Sequence, residues 1–337
     1  MNLDIKVLDR ISVEIEGREV RFGDRKQRIV LAVLALNHSW VSKDLLVQRL
    51  WESEQEPKDT DTQIYGYINA LRKAFEEAHP GSGALIVTER GRGYALKAGA
   101  MSVDYRRFKK DAEHAASAEP GDLETAVRFG RRALAEWGAP AGLRGCPPLE
   151  IRESQLLGLA EGMRQEHETA LLACLQAEMQ RGMHKHLISE LATLAGYDAD
   201  SAANEELARI RMLAHHRSGE NATALDVYDR LALTLSARFD STPQKRTTDL
   251  KFQIYNNDPA LQLPGAADEP AASKAVSDES AAPADETVSE NEPATEGAKP
   301  EPHAQPVFNN LNFGTNAVSN QGYIQHIYGR EARGQSD

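Results

Sequence analysis

The sequence predicts a mostly α-helical protein with a small β component: an N-terminal unit of short strands and three helices, an all-helical domain and a disordered tail. Short alternating runs stand on both sides of three amphipathic segments in residues 1–100. Residues 101–257 keep a helical period through successive segments with short connections. Residues 258–306 are rich in Ala, Pro, Glu, Ser and Asp and hold no aromatic residue, a composition that cannot bury enough apolar surface to fold.

The N-terminal unit begins with strands and two helices. Apolar and polar residues alternate in LDIKVL, ISVEIE and EVRF, which predicts three strands of a meander within residues 1–22. Asp24 is a capping residue type, and it precedes a helix predicted from Arg25 to Leu36. Ser42 is predicted to cap a second short helix, SKDLLVQRLW, whose last residue, Trp51, is expected in the core.

A third helix and a hairpin complete the unit. The helix begins at Thr60 or Thr62, and its helical spacing predicts one buried face: Ile64, Ile68, Leu71 and Phe75. The following segment, ALIVTERGRGYALK, places two β-prone runs around Gly91 and Gly93, which predicts a hairpin. A meander, three helices and a hairpin in this order are the plan of a winged helix-turn-helix, whose third helix lies in the major groove of DNA.

The following domain is predicted to be all-helical and tetratricopeptide-like, because of the spacing of its helix pairs and the small residues at their packing positions. The predicted helices are Tyr105–Ala118, Asp122–Trp137, Glu150–Arg181, His186–Ala195, Ala203–Ser218, Ala222–Arg238 and Gln244–Asn256. The predicted boundaries are therefore 1–100 for the winged helix, 101–257 for the helical domain, 258–306 for an acidic linker and 307–337 for a final segment. We expect residues 1–100 to fold by themselves.

The charge is distributed unevenly along the chain. The net charge is −12, of which −9 lies in residues 258–306, whereas residues 1–100 carry fifteen basic and fifteen acidic side chains. The total therefore does not exclude a nucleic-acid partner for the folded part. Acids among the apolar residues of the N-terminus do not predict a signal peptide, and no apolar run reaches the length of a membrane span. We expect a cytoplasmic, nucleoid-associated protein with no membrane partner.

Motifs for catalysis and for cofactors are missing from the sequence. It contains neither G-x-x-x-x-G-K-[ST] nor G-x-G-x-x-G, the glycine-rich patterns that bind nucleotide phosphates. The paired histidines, His184 with His186 and His215 with His216, have no Cys or carboxylate at metal-ligand spacing, so surface histidines are expected. Cys146 and Cys174 are expected to be idle thiols. These observations predict a protein that is not an enzyme and uses no cofactor or metal.

Particular strings give the N-terminal unit and the helical domain a family resemblance. FGDRKQRIVLAVLAL, VSKDLLVQRLW, DTQIYGYINALRKAF and VTERGRGYAL resemble the OmpR-type winged helix. DLETAVRFGRRALAEW and MLAHHRSGENATALDVYDRLALTLSARFDSTP resemble the bacterial transcriptional activator domain. Together, over residues 3 to 257, they look like the Streptomyces antibiotic regulatory protein family of transcription activators. The resemblance implies double-stranded DNA and RNA polymerase as partners.

The third helix presents polar residues opposite its apolar face. Burial of that face leaves Gln63, Gly66, Asn69, Ala70, Arg72 and Lys73 toward the other side. Asn and Gln pair with adenine edges, whereas Arg pairs with guanine or with a phosphate. The alternative for Arg72 and Lys73 is an ordinary solvated helix face.

The family resemblance extends the list of DNA-facing positions. On the third helix it implies Thr62, Gln63, Gly66, Tyr67, Asn69, Ala70 and Arg72. It also implies a phosphate contact from Lys43 and hairpin contacts from Thr88, Arg90 and Arg92. A tyrosine such as Tyr67 is, however, more often a packing residue than a base contact. Two arginines at a hairpin tip suit insertion into a minor groove.

Two residues depart from the family pattern and weaken binding by a single copy. Ala70 stands where arginine is common, and Gly66 lowers helix stability by up to about 1 kcal/mol. Because the net charge of residues 1–100 is zero, we expect a homodimer on repeated half-sites.

The segment 307–329, VFNNLNFGTNAVSNQGYIQHIYG, has no charged residue and is rich in Asn, Gln and aromatics. It resembles bacterial amyloid signalling motifs, which implies stacking with copies of itself or with a partner carrying a matching motif. An inert terminus or a segment docked on the protein is the alternative. A second functional hypothesis follows: a scaffold protein that uses the helical repeats and this segment in a signalling complex.

Overall fold

The described part of the chain contains six strands and twelve helices. A computed structural model describes residues 2–37, 39–52, 56–97, 101–138, 145, 147–152 and 155–263. The strands are β1 (Leu3–Lys6), β2 (Ser12–Ile15), β3 (Arg18–Glu19), β4 (Ile86–Glu89), β5 (Gly93–Leu96) and β6 (Met101–Val103). The helices are α1 (Arg25–Leu36), α2 (Lys43–Leu50), α3 (Thr60–Ala78), α4 (Asp104–Ala116), α5 (Leu123–Ala135), α6 (Leu149–Arg152), α7 (Leu157–Gln180), α8 (His184–Ala195), α9 (Ala199–Ala202), α10 (Glu205–Arg217), α11 (Asn221–Phe239) and α12 (Lys245–Tyr255). The mostly helical fold with a small N-terminal sheet confirms the predicted fold class.

The N-terminal sheet has one strand more than the predicted meander. Strands β1, β2 and β3 pair antiparallel in chain order, as the alternation predicted. Strand β6 pairs with β1 in parallel, with Leu3 opposite Met101 and Ile5 opposite Val103. The fourth strand comes from beyond the predicted boundary at residue 100, so the sheet draws on residues of both predicted domains.

Helices α1, α2 and α3 begin at capped positions, as their sequences indicate. The Asp24 carboxylate accepts the backbone N–H of Lys26, and the Ser42 hydroxyl accepts that of Leu45. Helix α3 begins at Thr60, and Asp59 is its cap. The predicted apolar face of α3 is fully buried: Ile64, Ile68, Leu71 and Phe75.

Asp104, the first residue of α4, joins the helical domain to the sheet. Its carboxylate accepts the backbone N–H groups of Val7 at 2.9 Å and Leu8 at 3.1 Å. Burial raises the pKa of Asp104 to about 6, although these hydrogen bonds and nearby Arg107 favour the ionised form. Arg106, two residues later, donates from Nη2 to the carbonyl of Ala35 at 2.8 Å, near the end of α1.

Apolar packing reinforces this junction. Ile151, Leu156 and Ala160 of the helical domain belong to the same buried cluster as the core of the winged helix. In return, Leu8 packs in a second cluster with Trp137 and with other buried residues of the helical domain. The two predicted domains therefore share their cores instead of meeting at a polar surface.

The helical domain departs from the predicted helices at a few places. The predicted helix from Glu150 to Arg181 consists of two helices, the short α6 and the long α7. Helix α8 begins at His184, two residues before its predicted start, and the short α9 had not been predicted. Helix α4 packs against α5, and α10 packs against both α8 and α11.

The predicted disordered linker is wrong over its first residues. A 3-10 turn spans Pro259–Leu261, and the Asp258 side chain caps it by accepting the N–H of Ala260. The Nε of Arg217 donates to the carbonyl of Leu261 at 2.8 Å, which holds the turn against α10. The rest of the predicted linker and the 307–337 segment lie outside the described residues.

Candidate nucleic-acid interface

Helix α3, here called the recognition helix because it is predicted to lie in the major groove, displays its predicted polar face. Thr62, Gln63, Gly66 and Lys73 are exposed, whereas Asn69 and Ala70 are half-buried. Among the described residues, neither Gln63 nor Asn69 has a side-chain hydrogen bond, so both amides are available for a base edge. The hydroxyl of Thr62 donates to the Asp59 carboxylate at 2.5 Å, within the helix cap.

Gly66 lies in the middle of this face in open space. No atom lies within 4 Å of the position that a Cβ would occupy there, and the residue is part of a regular helix. The structure therefore gives no steric reason for glycine in the free protein, and a close approach of the backbone to another molecule would be such a reason.

We expect Gly66→Ala to stabilise the protein by up to about 1 kcal/mol, because alanine loses less backbone entropy in a helix and has room here. Chemical denaturation of the full chain measures this change. Gly93→Ala is the opposite control, because a Cβ there would lie 2.0 Å from the carbonyl oxygen of Val41. A loss of stability in Gly66→Ala would contradict the prediction.

Tyr67 packs on the rest of the winged helix. Its ring lies 6.4 Å from that of Trp51, centroid to centroid, and it is half-buried. Burial raises the pKa of the Tyr67 hydroxyl, and the nearby Asp24 carboxylate adds to this. Tyr67 therefore has a packing role in the structure, in addition to any contact with DNA.

Arg72 connects the recognition helix to the hairpin. Its Nε and Nη2 donate to the carbonyl of Ile86 at 3.0 and 2.8 Å, and Nη2 also donates to the Thr88 hydroxyl at 2.7 Å. In the absence of DNA, Arg72 is thus bonded within the winged helix, a role that was not among the predicted ones; the predicted DNA contact stays a prediction. The guanidinium fixes strand β4 against α3, and Thr88 is one of its acceptors.

The hairpin of β4 and β5, here called the wing, is also attached at its base. Tyr94 and Val41 exchange two backbone hydrogen bonds of 2.9 and 2.7 Å. Gly93 makes this approach possible, since its φ is +105° and a Cβ would collide with the Val41 carbonyl. The wing is therefore held to the loop before α2 and to α3 at the same time.

The wing tip exposes two arginines in different environments. Arg92 donates to Glu89 at 3.1 Å, and its guanidinium lies over the Trp40 ring at 5.2 Å. Arg90 is exposed, and within the described residues it has no ion-pair partner. Arg90 is thus the wing cation that is available to contact a phosphate or to enter a groove of DNA.

Acidic side chains accompany the other predicted cations. Lys43 Nζ lies 2.6 Å from a carboxylate oxygen of Asp61, which raises the pKa of Lys43, and Lys73 lies 3.8 Å from Glu77. Both pairs are exposed and would exchange their partner for a phosphate at little cost. These pairings were not predicted from the sequence, although Asp61, on the first turn of α3, is a visible signal.

The described residues contain neither a candidate metal site nor a candidate membrane span. No group of three or more His, Cys, Asp or Glu residues there could hold a metal ion. The expectation of surface histidines is wrong for His215 and His216, which are buried and bond through Nδ1 to Glu220 and Asn221 at 2.7 Å each. Both imidazoles thus bond to residues at the start of α11. Within the part that the structure describes, no helix is long and apolar enough to cross a membrane.

Two family models match the chain, in the order found in the structure. The family described as "Transcriptional regulatory protein, C terminal" matches residues 17–96. The family described as "Bacterial transcriptional activator domain" matches residues 103–255. The two matches meet near β6 and Asp104, and they give no support to the amyloid-motif interpretation of residues 307–329.

Relatives and a solved structure agree with these matches. Regulatory protein DnrI of Streptomyces peucetius is 27% identical over 270 residues, which cover 78% of this chain and 96% of that protein. Regulatory protein AfsR of Streptomyces coelicolor is 31% identical over 258 residues, 76% of this chain but 24% of AfsR. The structure of Mycobacterium tuberculosis EmbR in complex with low affinity phosphopeptide has a TM-score of 0.66 at 27% identity and covers 77% of this chain and 66% of that chain. The chain thus spans nearly all of one relative and about a quarter of another.

Proposed function

We propose that this protein activates transcription by binding repeated promoter half-sites as a homodimer and engaging RNA polymerase. The proposal proceeds from its family: the chain belongs to the Streptomyces antibiotic regulatory protein family, in which an OmpR-type winged helix precedes a bacterial transcriptional activator domain. Membership makes it a transcription regulator of a DNA-binding family and not an enzyme. The operator contacts, the dimer and the polymerase contact are the proposed parts.

One observation carries the proposed DNA contact: the hydrogen bonds of Arg72 join the recognition helix to the wing. Because β4 is fixed to α3, the amides of the polar face of the helix and the arginines of the wing tip approach DNA as one surface. Gln63 and Asn69 then serve base edges in the major groove, and Arg90 serves the adjacent backbone or minor groove.

Charge balance supports the dimer. At the proposed surface, Lys43, Lys73 and Arg92 each have a carboxylate close by, so the surface of a single copy carries little net positive charge to attract phosphates. Two copies on adjacent half-sites double the contacts without a new kind of contact. The helical domain, which matches the activator-domain model, is the part that we assign to the dimer contact and to RNA polymerase.

The first test removes the unpaired wing cation. Arg90→Ala is expected to weaken binding to promoter DNA beside the chain's own gene by about 1–3 kcal/mol if Arg90 contacts a base. Fluorescence anisotropy with the full chain measures the dissociation constant. Arg18→Ala is the matched control, since Arg18 is an exposed arginine on β3, outside the wing and α3. Equal affinities of Arg90→Ala and wild type would remove the wing from the interface.

Lys43→Ala is expected to weaken binding to all sequences alike and to lower the salt slope by about one unit, because a phosphate contact releases one counterion. Asp61→Asn should act in the opposite direction, since it removes the carboxylate that lies 2.6 Å from Lys43 Nζ. Titrations at several salt concentrations, on promoter DNA and on shuffled DNA, measure both effects. A sequence-dependent loss in Lys43→Ala would contradict a phosphate role.

A further inference from the structure

Arg211 of α10 is a partly buried cation without a partner. Its Nε is buried and makes no hydrogen bond, and within the described residues the guanidinium has neither a hydrogen bond nor an ion pair. Arginine stays charged in proteins and carries five N–H donors. Buried donors of this kind are almost always satisfied, so an unmet one indicates an absent acceptor.

Other half-buried arginines in the same domain do have partners. Arg131 donates to the carboxylates of Glu178 and Glu190, and Arg217 donates to the carbonyls of Met179 and Leu261. The fold therefore supplies acceptors where a buried arginine is structural. Arg211 differs from these arginines in facing a cavity instead of a protein acceptor.

The cavity beside Arg211 has a volume of about 490 Å³ and opens to solvent. Small and apolar side chains form much of its wall, including Ala192, Ala208, Val227 and Leu231. Its polar lining includes Arg230 and Thr234. This volume lies within the range of small-molecule sites, about 300–1,000 Å³, which likewise combine apolar walls with a few polar groups.

The electrostatics of the cavity favour an anion. Burial lowers the pKa of Arg211, and the positive charge of Arg230 lowers it further. The carboxylate that acts on Arg211, that of Asp226, is exposed and is already paired with Arg230, 2.8 Å from its Nη2. An entering anion would therefore meet one unpaired guanidinium and a second one close by.

We propose that this cavity, the Arg211 pocket, binds a carboxylate attached to a small apolar group. The guanidinium matches a carboxylate in geometry and accepts it in a bidentate manner. The alanines and Val227 enclose the apolar part. The carboxylate has two possible sources: a free short-chain organic acid, or an Asp or Glu side chain flanked by Ala or Val in residues 264–306 of the same chain.

The test uses sodium isobutyrate as the probe and the melting temperature of the full chain as the readout, with sodium chloride at equal ionic strength as the reference. Arg211→Met keeps the length of the side chain and removes its charge. We expect the melting temperature of the unliganded variant to stay level or rise, because an unpaired buried charge is gone. Its half-saturating isobutyrate concentration should rise at least tenfold. Lys245→Met, which removes an exposed cation elsewhere in the domain, should behave as wild type.

A further variant distinguishes the sources. In it, every Asp and Glu of residues 264–306 is changed to Asn or Gln in the full chain. If wild type and this variant respond equally to isobutyrate, and Arg211→Met does not, the ligand is a free acid. If only the neutralised variant responds, and introducing Arg211→Met into that variant removes the response, the chain's own segment occupies the pocket. The proposal is overturned if isobutyrate raises the melting temperature of neither wild type nor the neutralised variant more than sodium chloride does. It is also overturned if Arg211→Met responds to isobutyrate as wild type does. Arg211→Gln replaces Arg211→Met if that variant does not fold.

Discussion

Asp104→Ala is expected to lower the free energy of unfolding by about 3 kcal/mol or more, because each buried N–H group left without an acceptor costs about 1–3 kcal/mol. The Asp104 carboxylate accepts the N–H groups of Val7, Leu8 and Tyr105. Val7 and Leu8 are fully buried, so water cannot replace the carboxylate without opening the core. The loss should be cooperative, since the same residues connect β1 to α4.

Guanidinium denaturation of the full chain measures this loss. Asp104→Asn retains one oxygen acceptor and should lose less than Asp104→Ala. Asp249→Ala is the surface control: among the described residues its carboxylate pairs with the exposed Lys245 alone, and such pairs contribute about 0–1 kcal/mol. If Asp104→Ala is no less stable than Asp249→Ala, the junction does not depend on this carboxylate.

Arg72→Ala is expected to lower stability by about 2–3 kcal/mol, since its hydrogen bonds come from a charged donor. The specific affinity for DNA should fall by at least about 1–3 kcal/mol, the loss expected for one arginine that contacts a base. The physical reason is positional. Without the bonds to Ile86 and Thr88, the wing keeps its base at Val41 but loses its attachment to α3.

Hydrogen exchange separates this positional role from a direct contact. In Arg72→Ala, the amides of residues 86–96 should exchange faster before any DNA is added. Lys73→Ala is the matched control, because it removes the neighbouring cation of α3, which is 80% exposed. Lys73→Ala should leave exchange in the wing unchanged. Weak DNA binding of Arg72→Ala with normal exchange in the wing would favour a direct contact alone.

Local sequence signals predicted the recognition helix and its neighbours well. Helix α1 has the predicted bounds because Asp24 is a capping residue and the apolar period continues to Leu36. The buried face of α3 follows from the spacing of Ile64, Ile68, Leu71 and Phe75 alone. Such features depend on residues at most one or two helical turns apart, which a sequence pattern records directly.

Contacts between distant residues could not be predicted in the same way. Strand β6 has three residues, and its pairing with β1 depends on a partner almost a hundred positions away. The end of α6 before α7 was not predicted, since no proline stands between Glu150 and Arg181 to indicate a break in the helix. At the candidate interface, the residue types were predicted but not their intramolecular partners: Asp61 beside Lys43, and the wing strand beside Arg72. Whether the predicted residues contact DNA stays a prediction.

The shared core limits how such regulators can be recombined. A chimaera cut at residue 100 would separate β1 from β6, leave the N–H groups of Val7 and Leu8 without their acceptor, and remove Ile151 and Leu156 from the winged-helix core. Exchange of the whole winged helix between family members would therefore produce misfolded hybrids unless the junction residues are exchanged together with it. New operator specificity is more readily obtained by grafting residues of the polar face of α3, such as Gln63 and Asn69, onto an otherwise unchanged chain.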